Sequence, residues 1–363
     1  MHSHGGNPRA SVRALGRSLY SCLDASASLV PFGPPVSTRL SLRYLRYYPD
    51  PTYFELKRAI SAVHGLDPDY ILPGNGAAEL FTWAARDAVS YGFNYLPSPG
   101  FFDYRRALTC WRGTFREIPL SLEPQSIPAD FRSAESGGAI WISNPHNPTG
   151  HLWTRESLIQ LLSRHSLVIC DEAFLPLVPG GEEHSLLPFV ALHPNLIVIR
   201  SLTKLFGIAG VRLGYAVAQP NRLIRWSTLR DPWPVNSIAA AMGISLLGDR
   251  LSYGKWCKKV QDWVASEGAF FQRRFLALPH IEVLPSHANF CLIRGRNDRG
   301  LPLSLVPLRE MLEDRFSIYL RDCRNFTGLG DSWLRIGYQR RRSNLRIVAA
   351  IERLCAAHAS SWQ

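Results

Sequence analysis

No stretch of this 363-residue chain is apolar for long enough to cross a bilayer. The polar opening Met1-His2-Ser3-His4-Gly5-Gly6-Asn7 lacks the apolar core of a secretory signal. No two cysteines stand at C-x-x-C spacing, and their number, seven, is odd. That excludes a zinc-ribbon pattern and suits reduced thiols in a cytoplasmic protein with no metal site. Low-complexity segments and internal repeats are also missing. Charged residues make up 19% of the chain, and Arg340-Arg341-Arg342 is the one basic run, expected to form a solvated face.

What is present is an ordinary globular composition, 46% hydrophobic, long enough for two domains. The formal charge of +12 suits an anionic partner, either a phosphorylated small molecule or nucleic acid. No recognition-helix or zinc-finger signature accompanies it, so nucleic acid is not expected; nor is a membrane.

Residues 1–45 read as a Gly-, Pro- and Ser-rich arm. From 46 to 235, helical stretches such as 55–64 alternate with the apolar runs 139–142, 167–170 and 196–199. These runs are continuous, which predicts an α/β fold with a mostly parallel sheet covered by helices on both faces. Polar motifs follow each run, where an open α/β sheet places its ligands. The prolines at 232 and 234 mark a boundary. Beyond it, helical segments at 236–278 and 343–358 flank short strands at 281–284, 289–293, 318–320 and 333–337, predicting a smaller C-terminal α+β domain over 236–363.

Four motifs carry chemistry. Ser201-Leu202-Thr203-Lys204 places an amine at a strand end, where it can bond an aldehyde; Arg212 and the Ser201 and Thr203 hydroxyls can clamp a phosphate. Asp171, opening Asp171-Glu172-Ala173-Phe174, can pair with a protonated ring nitrogen, though a strand-end carboxylate needs no function. Ser143-Asn144-Pro145-His146-Asn147-Pro148-Thr149-Gly150 is a turn in which Asn147 can donate to a phenolate. Gly74-Asn75-Gly76-Ala77 opens a helix whose N–H groups can meet a phosphate. Phe101, after Pro99-Gly100, offers an aromatic face.

In order and spacing, SNPHNPTG, DEAF, SLTK and GVRLGY resemble the fold type I pyridoxal phosphate (PLP) enzymes, the class I/II aminotransferase superfamily, over nearly the whole chain. The resemblance implies that Lys204 is the Schiff-base lysine and acid/base, that Asp171 pairs with the pyridine nitrogen, that Asn147 contacts the phenolic oxygen and that Phe101 stacks on the ring. It implies that Gly76, Ala77, Ser201, Thr203 and Arg212 hold the cofactor phosphate. Tyr48 would reach the phosphate of a neighbouring subunit, making a homodimer. Many members carry tyrosine where Phe174 stands, so the phenolic oxygen would rely on Asn147.

The segment His4-Gly5-Gly6-Asn7 is similar to the threonine-phosphate decarboxylases of cobalamin biosynthesis, in which the corresponding histidine and glycine bind the substrate phosphate; this carries onto His4 and Gly5. Arg335 matches the superfamily's carboxylate-binding arginine, whose fork suits a carboxylate, and Arg321 matches a phosphate-binding position. The segment Ser26–Gly33 departs from that family: Ser28 and Val30 replace two asparagines, and Ser28 keeps one donor while Val30 keeps none. The implied reaction is decarboxylation of O-phospho-L-threonine to (R)-1-aminopropan-2-yl phosphate. The alternative is a histidinol-phosphate aminotransferase or a related class I/II aminotransferase.

Overall fold

The computed structural model describes residues 5–6, 12, 18, 21–36, 42–122 and 137–358. Its larger sheet has seven strands: β1 (Ile71–Gly74), β2 (Asn94–Ser98), β3 (Phe115–Pro119), β4 (Ala139–Ser143), β5 (Leu167–Asp171), β6 (Leu196–Ser201) and β7 (Gly214–Val217). They lie in the order β1-β7-β6-β5-β4-β2-β3. All neighbours pair in parallel except β7, which is antiparallel to both β6 and β1. The mostly parallel sheet read from the apolar runs is therefore present, with one reversed strand.

Pleating divides each apolar run between two cores. Trp141, Ile169 and Ile199 point to one face, and Ile142, Cys170 and Val198 to the other, as the two-residue period of a strand requires. The helices Ala77–Val89 and Pro220–Leu229 cover the first face with Leu80, Phe81, Ala84 and Trp226. Phe54–His64 and Arg155–Leu162 cover the second with Leu56, Ile60, Leu158 and Leu161.

Burial on both faces explains why β4, β5 and β6 carry no polar alternation. Chain direction across the sheet reverses between β2 and β4, since β4 leads on to β5 whereas β2 leads to β3 on the opposite side. Such a reversal opens a crevice at the carboxyl ends of the strands.

A second sheet of five strands lies in the C-terminal part, built around Phe290–Arg296 and Trp333–Gly337, which pair antiparallel. Its details depart from the sequence reading in three places. The expected helical segment 236–278 is two helices, Ser237–Leu247 and Arg250–Phe275. Asp249 caps the second through bonds from the Leu251 and Ser252 amides, the usual device for starting a helix.

The first of these helices packs on the larger sheet's layer. A Cβ on Gly243 would lie 2.7 Å from both Leu56 Cδ1 and Leu213 Cδ2. The expected strand 318–320 is two short pieces: Ile318–Tyr319 pairs in parallel with Leu23–Asp24 of the arm, and Arg321–Asp322 pairs with Trp333–Gly337. Finally, the arginine run is more than a solvated face. Arg341 opens the last helix and its Nε donates to buried Glu267 at 2.9 Å. No described helix is long and apolar enough to cross a membrane.

Candidate active site

The crevice at the strand ends deepens into a cavity of about 410 Å³. Four of the seven strands deliver a side chain to it at or just beyond their carboxyl ends. Lys204 sits in the short helix Leu202–Phe206, directly after β6. Asp171 ends β5, Asn147 follows β4, and Phe101 follows β2. Ala77, Ser201, Thr203, Arg212, Gly5, Ser28, Arg321 and Arg335 line the same space.

One end of the cavity is built for an anion. The helix Ala77–Val89 points its N-terminus there, with the partial positive charge and unpaired amides of such an end. Gly76 precedes it with φ 73°, and a Cβ on Gly76 would lie 2.4 Å from Arg212 Nη2. Glycine is thus required for both backbone and space. Among the described residues, Thr203 Oγ1 is buried here without a hydrogen-bond partner, which costs free energy unless a ligand bonds it.

Lys204 faces the middle of the cavity. Burial, with help from Arg335 and Arg212, lowers its pKa to about 8, so an uncharged amine is accessible near neutral pH. Its Nζ lies 5.5 Å from the centre of the Phe174 ring. Phe174 packs edge-on against Phe290 and contributes no hydroxyl.

Asp171 is buried, which raises its carboxyl pKa to about 6 against the opposing bonds from Tyr104 and the Ala173 amide. Tyr104 Oη donates to Asp171 Oδ2 at 2.7 Å, and the Ala173 amide to Oδ1 at 2.9 Å. Nothing in the sequence reading singled out Tyr104. Its one signal is position, a helical turn after Phe101.

Asn147 is held at both ends. Its amide N–H donates to Ser143 Oγ at 3.1 Å, and its Oδ1 accepts from Arg335 Nη1 at 2.5 Å. The side-chain nitrogen is left as a donor. Arg335 lies 4.6 Å over the Phe290 ring, and Arg321 lies 5.2 Å over Phe326 while donating to Asn325 Oδ1. Both guanidiniums are buried, and among the described residues neither has a carboxylate within 4 Å. Burial, and then the charge of Arg321, lowers the Arg335 pKa to about 10.

The N-terminal arm closes one wall. The Gly6 amide donates to Ser26 Oγ at 2.8 Å, and Ser26 in turn donates to Asp24 Oδ1 at 2.6 Å. A Cβ on Gly5 would lie 2.1 Å from the Ser26 carbonyl oxygen and 3.2 Å from Arg321 Cδ. His4 lies outside the described residues.

The two positions that depart from the decarboxylase pattern separate. Ser28 Oγ is buried on the cavity wall, with no hydrogen-bond partner among the described residues. Val30 instead packs in the core and does not line the cavity. Tyr48 is 80% exposed, lies 4.6 Å from the Trp233 ring and does not line this chain's cavity.

Residues 37–351 match the family described as aminotransferase class I and II. A threonine-phosphate decarboxylase from Salmonella typhimurium is 33% identical, over 96% of this chain and 95% of its own. A histidinol-phosphate aminotransferase from Carboxydothermus hydrogenoformans is 30% identical, over 93% and 91%. Among solved structures, histidinol-phosphate aminotransferase from Sinorhizobium meliloti, in complex with pyridoxal 5'-phosphate, superposes with a TM-score of 0.82 at 22% identity, covering 96% of this chain and 95% of that one. With its sheet, its crevice and the motifs gathered there, this chain belongs to the aminotransferase class I and II family.

Proposed function

We propose that this chain is a PLP-dependent lyase that removes the carboxylate of O-phospho-L-threonine. The observation that carries the reading is the pair of buried guanidiniums, Arg321 and Arg335, opening with Lys204 and Asp171 onto one cavity. Two buried cations without carboxylate partners are costly unless a ligand supplies the anions. An amino acid bearing a phosphate supplies both.

The residues fit the cofactor. Gly76, the Ala77 amide, Ser201, Thr203 and Arg212 would hold its phosphate, and the partnerless Thr203 hydroxyl supplies a ready donor. Asp171 would pair with its ring nitrogen, Asn147 would donate to its phenolic oxygen, Phe101 would cover its ring and Lys204 would bond its aldehyde. When bound, PLP supplies a protonated ring that accepts the electron pair left at Cα as a bond breaks.

The chain's own groups do the rest. Arg335 grips the substrate carboxylate, and Arg321, with Gly5 and His4, takes the phosphate. Ser28 Oγ gives the substrate a further donor. Lys204 Nζ returns a proton to Cα after CO2 leaves. The apolar wall formed by Phe174 and Phe326, with Phe290 packed behind Phe174, would keep water from the carboxylate, which favours its loss as neutral CO2.

The sequence likeness to a threonine-phosphate decarboxylase supports this reaction. A second reading, amino transfer to a histidinol-phosphate-type substrate, is favoured by the likeness to histidinol-phosphate aminotransferase. The deciding assay measures CO2 release from O-phosphothreonine beside amino transfer from glutamate to imidazole-acetol phosphate. Transfer without CO2 release would overturn the lyase reading.

We also propose a cytoplasmic homodimer. Leu45, Tyr47, Tyr48 and Phe54 are exposed close together in sequence, an apolar surface of the kind that pairing covers. A monomer mass in sedimentation at micromolar concentration would refute it.

A further inference from the structure

We propose that Tyr104 is a positioning residue that keeps Asp171 ionised and turned toward the cofactor's ring nitrogen. The inference rests on the reading of Asp171 given above. The Asp171 carboxylate has two oxygens, and each has one fixed donor from the chain: the Ala173 amide on Oδ1 and the Tyr104 hydroxyl on Oδ2. Together they set the plane of the carboxylate.

The phenol cannot swing away. It is fully buried, meets the rings of Phe81 and Phe101 edge-on at 5.2 and 5.5 Å, and lies tilted by 32° against Trp141 at 5.3 Å. Trp141 is itself pinned through Nε1 to Asn94 Oδ1 at 3.0 Å. Such ring contacts fix orientation as well as burying area.

Tyr104 is also a permanent donor. Burial and the adjacent carboxylate hold its pKa well above the ordinary phenol value, so its proton stays on Oη throughout the working pH range.

A hydrogen bond to the charged form of a buried acid opposes the effect of burial. The groups facing Asp171 are Lys204 from the helix after β6, Asp103 and Tyr104 from the helix Asp103–Cys110, and Cys170 beside it in β5. Asp103 works against ionisation, while Lys204 supports it until its amine is committed to the cofactor. Tyr104 and the Ala173 amide then carry the carboxylate. The Ser143 hydroxyl lies beside Tyr104 and accepts from the Asn147 amide, so the same phenol also borders the segment that carries Asn147.

The test uses the full chain. PLP binding is titrated by quenching of tryptophan fluorescence from pH 5 to 8.5 for the unmodified protein, Tyr104→Phe and Asp171→Asn. Tyr104→Phe is expected to bind equally well at pH 8 and about fivefold more weakly at pH 6, its acid limb displaced upward by about one pH unit. Tyr104→His, which keeps a ring donor, is expected to return the limb toward its original position, and it carries the test if the phenylalanine variant does not fold. Coincident limbs, even with a lower melting temperature, would show that Tyr104 only fills space and would overturn the proposal. Asp171→Asn binding PLP normally at every pH would instead overturn the reading of Asp171.

Discussion

The guanidinium of Arg335 donates from Nη1 to Oδ1 of Asn147 at 2.5 Å, joining a C-terminal strand to the loop after β4. The bond fixes which end of the Asn147 amide faces the cavity, and it ties a group proposed to hold the substrate carboxylate to one proposed to touch the cofactor. Asn147→Asp replaces an acceptor dipole with a full charge that would capture Arg335. The expected result is a KM for O-phosphothreonine raised by about tenfold or more, with kcat/KM reduced accordingly. An unchanged KM in a CO2-release assay would show that Arg335 does not grip the substrate.

Arg321 and Arg335 are predicted to read different anions. Arg321→Met should raise KM for O-phosphothreonine by roughly ten- to a hundredfold, the cost of losing hydrogen bonds to a charged group. It should leave the weak binding of unphosphorylated threonine unchanged. Arg335→Met should weaken both ligands. Competition experiments with the two amino acids separate these outcomes, and equal effects of both variants on both ligands would refute the assignment.

Lys204 gives a pH dependence of definite sign. Its lowered pKa of about 8 means that the reactive, uncharged amine increases as pH rises through 8 and saturates well below the ordinary lysine range. The rate at which PLP is captured should therefore climb between about pH 7 and 9 and then level off. Stopped-flow absorbance of the bound cofactor measures this. A rate still rising past pH 10 would mean that the buried site does not tune the amine. Lys204→Ala should show no capture band and turn over about 10²- to 10⁴-fold more slowly.

Gly76 tests the phosphate end. An alanine there would be strained at φ 73° and would press on Arg212. Gly76→Ala is expected to weaken PLP binding about tenfold while the rest of the fold survives, as judged by circular dichroism. Equal PLP affinity would place the phosphate elsewhere.

Three of the larger sheet's seven strands were legible because they are buried on both faces, so 139–142, 167–170 and 196–199 needed no alternation to be recognised; the exposed edge strand β3 offered no such run. The motif residues Lys204, Asp171, Asn147 and Phe101 were legible from position, each following a strand, and the structure brings them to one cavity. Tyr104 was not legible, because a tyrosine on the buried side of a helix reads as core until a carboxylate is found beside its hydroxyl. Ser28 and Val30 looked equivalent in sequence. Only the path of the arm shows that one faces the cavity while the other packs in the core. The break at Gly248 was present as a cap at Asp249, but the apolar pattern runs through it and hides it.

The seating of Gly5 against Ser26 and Arg321 has a practical consequence for handling the protein. Gly5 lines the cavity wall, so an affinity tag fused upstream of it extends the segment that contributes to the proposed phosphate site. Kinetic constants should be taken on tag-free protein, and a tagged preparation with a raised KM should be cleaved and assayed again before any residue is blamed.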